Sequence, residues 1–117
     1  MAQQFLSEGY WAAVLKAGLS KFLILNALGE GPVHGYQLIR RVAVMSGGFC
    51  EPTQGTVYPV LREFERAGCV RRQVEAVSGR ERKVYALTAK GRQALRAGVE
   101  AWKQGLACVR RTLEHNR

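Results

Sequence analysis

The sequence predicts a mostly α-helical α+β chain, built from short helices, one small β-hairpin and a long last helix. Three observations predict it. Apolar residues recur at helical spacing through most of the chain. The period changes to alternation between Val70 and Leu87, around a Ser78-Gly79 step. After Thr88 the helical period returns and settles into a heptad. The 117 residues make one domain's worth of chain, and a 47% hydrophobic share is globular in kind.

Phe5, Leu6, Tyr10, Trp11, Val14 and Leu15 define a first helix over 5–16. Gly18 is expected to break it, and Ser20 to cap a second, apolar helix over 20–29. Gly29-Glu30-Gly31-Pro32 is a stop signal. A helix over 35–46 follows, with Leu38, Ile39, Val42 and Met45 on one face and Arg40 and Arg41 outside. Gly47-Gly48 ends it, and a further helix over 54–67 carries Val57, Val60, Leu61 and Phe64 inward. Strands are expected over 70–76 and 82–87, with their turn at Ser78-Gly79. Thr88 should cap the last helix, over 89–114. In domain terms, 1–18 reads as an N-terminal helical extension, 19–88 as the main module and 89–117 as the terminal helix.

The formal net charge is +9, from 18 basic and 9 acidic residues. Residues 1–60 hold four basic and three acidic groups, and residues 61–117 hold fourteen and six, so the halves stand at +1 and +8. Such an excess points to a polyanionic partner, nucleic acid before an anionic membrane. Cys50, Cys69 and Cys108 are odd in number and widely spaced, which suggests neither a disulfide framework nor a zinc site and fits a reducing cytoplasm. Met1-Ala2-Gln3-Gln4 lacks the character of a signal peptide. The run Phe22-Leu23-Ile24-Leu25 is too short to span a bilayer, so no membrane partner is expected.

Three helices, a two-stranded wing and a further helix, in a basic chain of this size, follow the winged helix-turn-helix plan. The helix over 54–67 would then enter the major groove, and the hairpin would lie along the phosphates. Gln54, Thr56, Tyr58, Arg62, Glu63 and Arg66 fall outside its apolar face. Hydroxyls, an amide and guanidinium groups suit phosphate oxygens and base edges. Gly55 allows close backbone approach, and the helix start favours a phosphate. Arg80, Arg82 and Lys83 cluster at the wing tip. Each position has a plainer alternative: Tyr58 and Tyr36 could be packing residues, and Arg62 and Arg66 a solvated face paired with Glu63 and Glu65. Pro59 lacks an N–H, which suits only the start of a helix, so the regular helix should begin close to Gly55.

His34-Gly35-Tyr36, Gly55-Thr56-Val57-Tyr58-Pro59-Val60-Leu61 and Tyr85-Ala86-Leu87-Thr88-Ala89-Lys90-Gly91, taken together, resemble the PadR family of bacterial transcriptional regulators, from about Leu23 to Leu95. The single terminal helix is similar to the family's short-tailed branch. The resemblance implies a homodimer held by the last and first helices, often a repressor released by small aromatic or drug-like ligands. It implies DNA contacts at Tyr36, Thr56, Tyr58 and Lys83, and helix-start roles for His34, Gly35 and Gly55. Thr53-Gln54 departs from the small-residue and proline usage expected before the motif. Thr53 and Gln54 join the candidate DNA-binding set, with a pseudo-palindromic duplex as partner.

Leu95, Val99, Trp102, Leu106, Val109 and Leu113 step by four, three, four, three, four. This seam either packs on its own domain or zips to a second copy, and its narrowness favours the second copy. Trp102 is an interface residue or a stacking surface for an aromatic effector. Trp11 and Phe5 are candidates to close the same cavity. Cys69 reads as buried filler. Cys50 and Cys108 are inert thiols or a sensor of oxidants, electrophiles or a soft metal ion; Cys50 precedes the candidate reading helix and Cys108 lies near Arg110 and Arg111. A winged-helix module that binds protein is the third reading, disfavoured by the charge of the second half. An enzyme is the least favoured reading on residue content: there is no Asp, only two His, and no nucleophile–base pair, so neither catalytic residues nor cofactor nor metal is expected.

Overall fold

The computed structural model describes residues 2–116. A 3₁₀ turn, Ala2–Leu6, leads into α1 (Glu8–Leu28), β1 (Val33–His34), α2 (Gly35–Met45), α3 (Gln54–Arg66), β2 (Val70–Val77), β3 (Arg80–Leu87) and α4 (Ala89–His115). The strands form one antiparallel sheet in the order β1-β3-β2. α2, α3, α4 and the hairpin stand where the sequence places them, within two residues.

Two predictions about the N-terminal region fail. Gly18 does not break the first helix, and α1 runs unbroken for 21 residues. Ser20 is no cap: its hydroxyl donates to the Lys16 carbonyl one turn back, at 2.6 Å. One glycine within a helix costs only about 1 kcal/mol, which the packing of a long helix readily offsets. The join also makes the apolar stretch longer than the Phe22–Leu25 run alone. α1 is long and apolar enough to cross a bilayer by length and composition, although its last turns lie in the domain core. Ser7 caps it by accepting the Tyr10 N–H.

The core is a three-helix contact roofed by the sheet. Ile24 and Leu28 of α1, Leu38 and Val42 of α2, and Val57 and Leu61 of α3 are fully buried. Val33, Val70, Tyr85 and Leu87 close it from one face of the sheet. β1 was not legible in the sequence: two residues after Pro32 carry no period. Pairing Val33 with Tyr85 and His34 with Val84 gives β3 a second neighbour. Arg41, expected outside, instead turns inward. Its Nη1 donates to the carbonyls of Ala27 and Gly31, each at 3.0 Å, and so ties α2 to the C-terminus of α1.

The hairpin–α4 junction explains one of the sequence motifs. Thr88 caps α4 through the Gly91 N–H (3.1 Å) and donates its hydroxyl to the Gly68 carbonyl (2.6 Å). Gly91 lies so close to the Cys69 carbonyl that a Cβ there would overlap it. α4 and the wing then project from the body. The Cα radius of gyration is 16.6 Å, against about 13 Å for a compact chain of this length.

Candidate nucleic-acid interface

α3 divides cleanly between core and solvent. Val57 and Leu61 are buried, with Val60 and Phe64 half-buried beside them. Gln54, Gly55, Thr56, Pro59, Arg62, Glu63 and Arg66 are exposed. Thr53 is the N-cap residue; its carbonyl accepts from Thr56 and Val57, and its hydroxyl makes no cap bond. Among the described residues the amides of Gln54 and Gly55 therefore have no acceptor, which leaves a positive helix end facing outward. The Thr53 and Thr56 hydroxyls lie 3.4 Å apart at this end.

α3 begins at Gln54, close to Gly55 as expected, but Pro59 is not in the unpaired first turn. It stands sixth in α3, where an N–H would pair with the Gly55 carbonyl. The ring thus removes a real helical bond to a carbonyl in the exposed first turn. Tyr58 is half-buried rather than outward-facing. Its ring packs on Gly35, where a Cβ would overlap the hydroxyl and stand 2.9 Å from two ring carbons. The glycine of one motif thus makes room for the tyrosine of the other, and the pair sets how α3 crosses the start of α2.

The wing is regular. Ser78 and Gly79, with φ of 53° and 76°, form the two-residue turn between Val77 and Arg80. The register puts Val70, Arg72, Val74 and Ala76 opposite Leu87, Tyr85, Lys83 and Glu81 on the core-side face. Arg71, Gln73, Glu75 and Val77 oppose Ala86, Val84, Arg82 and Arg80 on the other. Burial holds the Tyr85 phenol above the usual tyrosine range, with Tyr58 adding to the effect and Arg72 opposing it. Arg72 also reaches Glu65 of α3, at 3.6 Å. Among the described residues Arg62, Arg66, Arg71, Arg80 and Lys83 have no carboxylate within 4.0 Å. Tyr36 is 52% exposed and meets Arg82 of the wing, whose Nη1 donates to the phenol oxygen at 3.3 Å.

The heptad seam divides in two. Leu95, Val99 and Trp102 are half-buried, and Trp102 packs on Phe22 of α1 with ring centroids 5.7 Å apart. Leu106, Val109 and Leu113 are 50–65% exposed. Leu6, Trp11, Val14 and Leu15 are exposed too, around the start of α1. A hollow of about 250 Å³ lies between α1, α3 and α4, lined mainly by Phe22, Leu25, Phe64 and Trp102. Trp11 and Phe5 do not line it. Trp11 donates its indole N–H to the Phe5 carbonyl at 2.9 Å, in a separate aromatic knot with Tyr10.

Cys50 is 3% exposed, inside the core, because Ser46 accepts its N–H and folds the loop inward. That burial withdraws it from the candidates for an accessible thiol. Cys69 is buried as expected, and Cys108 is exposed. No group of three His, Cys or Glu able to hold a metal occurs among the described residues.

Comparison with known proteins places these features. A profile of the transcriptional regulator PadR-like family matches residues 24–97. A PadR family transcriptional regulator from Eggerthella lenta superposes with a TM-score of 0.79 at 25% identity, covering 91% of each chain. A PadR-like transcriptional regulator from Bacillus cereus gives 0.71 at 26%, covering 83% of this chain and 93% of the other. Bacillus subtilis PadR in complex with operator DNA gives 0.63 at 26%, covering 69% of this chain and 46% of that one. No curated protein matches.

Proposed function

The chain belongs to the PadR-like family of transcriptional regulators, and from that premise we propose that it binds specific duplex DNA as a homodimer and represses transcription until a small ligand releases it. Residues 19–88 form the DNA-binding module and the helix from 89 onward the dimerisation element. The observation that carries this reading is the pairing of two uncommitted features: the polar face and free N-terminus of α3, and the unpaired cations of the wing. Thr53, Gln54, Thr56 and Arg62 offer groups for base edges and phosphates, while Tyr36, Arg80 and Lys83 lie where backbone contacts are made. Tyr58 contributes through the α2–α3 packing and through its hydroxyl. The likeness to a PadR bound to operator DNA supports the same reading.

The second copy covers the apolar surface that one chain leaves in water. Among the described residues Leu106, Val109 and Leu113 are half exposed or more, and Leu6, Trp11, Val14 and Leu15 are exposed to a similar degree or further. Pairing α4 with α4, flanked by α1, buries both sets and gives a two-fold axis. The operator is then pseudo-palindromic, with half-sites roughly 34 Å apart. Trp102 is the stacking surface for an aromatic effector, whose binding alters the spacing of the two reading heads. The protein works in the cytoplasm, beside the DNA it reads.

Footprinting on the region upstream of its own gene tests the proposal. A protected palindrome is the expected result. Uniform protection at all sequences, or a binding constant indifferent to salt, would overturn it.

A further inference from the structure

The geometry points to Arg82 as a positioning residue: we propose that it latches the wing to the head of α2 and sets where the neighbouring cations meet DNA, rather than contacting phosphate itself. This rests on the DNA-binding reading above.

A two-stranded hairpin is marginal by itself and twists freely. Residues 71–83 of this one are exposed throughout. Beyond the level of Gln73 and Val84, the side-chain hydrogen bonds and ion pairs that tie the hairpin to the body among the described residues gather at one place. There the register puts Arg82 opposite Glu75, on the face that also carries Val84, the partner of His34. β1 runs directly into α2, so Tyr36 stands beside that face. The Arg82 guanidinium lies 5.9 Å from the Tyr36 ring centroid, and its Nη1 donates to the phenol oxygen. The other side of the contact is braced as well. The His34 ring lies parallel to Tyr36 within 3°, centroids 5.9 Å apart, and its Nε2 is 3.9 Å from Glu75 Oε2. Lys83 projects from the opposite face, and Arg80 borders the turn. The latch therefore occupies one wing cation with protein and leaves two for DNA. A planar guanidinium suits a ring face and a phenol oxygen at once; an ammonium does not.

Two measurements test this. The first is DNA affinity across a salt titration, on the duplex defined by footprinting. Arg82→Ala should weaken binding about 5-fold with an unchanged salt slope, as loss of one hydrogen bond and one cation–π contact implies. Arg82→Lys should be no better than Arg82→Ala. Tyr36→Phe combined with Arg82→Ala should be less than additive. A slope reduced by about one phosphate, with recovery in Arg82→Lys, would make Arg82 a direct contact and overturn the latch. The second is amide hydrogen exchange without DNA. Residues 74–83 should exchange faster in Arg82→Ala, with α3 unaffected, and unchanged wing exchange would refute the proposal. If the wild-type protein selects no duplex, the functional reading fails, while the exchange experiment still decides the latch.

Discussion

Replacing Gly91 with Ala tests the junction on which the orientation of α4 depends. Gly91 is the third residue of α4, and its N–H is held by the Thr88 hydroxyl. An added Cβ overlaps the Cys69 carbonyl oxygen, with Leu87 Cδ2 at 2.9 Å and the Cys69 carbonyl carbon at 3.0 Å. The leucine can rotate away, but the Cys69 backbone cannot. Its N–H donates to the Phe64 carbonyl at 2.8 Å, and its carbonyl accepts from Thr88 at 3.0 Å. The methyl group must therefore push α4 off the β2–β3 base or break the cap. Overpacking against fixed atoms costs up to about 3 kcal/mol. Losing the Thr88 cap adds about 1 kcal/mol, and the better helix propensity of Ala returns about 1, for a net loss near 3. At roughly 4 °C per kcal/mol for a chain of this size, Tm should fall by about 12 °C. Gly105→Ala in the same helix meets no atom within 4 Å and should raise Tm by about 4 °C. Both variants are measured by circular dichroism melting at one protein concentration, since a dimer's Tm depends on it. A Gly91→Ala protein melting within about 2 °C of wild type would refute the close-approach argument.

Three further outcomes are expected. Leu106→Glu or Val109→Glu should weaken self-association roughly 1000-fold by placing an unpaired carboxylate in the seam, read by analytical ultracentrifugation as a shift to the 13.0 kDa chain; an unshifted mass would move the dimer interface elsewhere. Arg62→Ala should cost about 1–3 kcal/mol at the operator and relax the preference at one base pair, whereas Lys83→Ala should weaken all duplexes alike and lower the salt slope by about 1. Fluorescence anisotropy separates the two, and identical behaviour would contradict the division between reading helix and wing. With a thiol reagent under native conditions, Cys108 should react alone and quickly, while Cys50 and Cys69 wait for unfolding; fast labelling of Cys50 would contradict its place in the core.

The elements with strong period or chemical punctuation were legible in advance. α2, α3 and α4 each carry a repeating apolar face, and Ser78-Gly79 suits the positive φ values of a two-residue turn. β1 was not, because two residues carry no period and pair only once β3 is beside them. α1 reads as two helices in the sequence because glycine signals a break only statistically, and the packing of the whole helix decides whether it breaks. At the candidate interface, the exposure of Gln54, Thr56 and Arg62 follows from the α3 pattern alone. The half-buried place of Tyr58 does not, since it depends on Gly35, 23 positions earlier.

By itself the sequence determined the order of α2, α3, the hairpin and α4, the apolar face of each of these helices, the excess of positive charge in the second half and the seam along the last helix. These follow from spacing and composition, which act between near neighbours. Tertiary structure alone decided that Gly35 and Gly91 are sites of close approach, that Arg41 fastens α1 to α2, that Cys50 is enclosed and that Arg82 reaches Tyr36. Each of these joins residues distant in the chain. Such contacts arise only when packing brings separate elements together, and no local pattern encodes the distance between them.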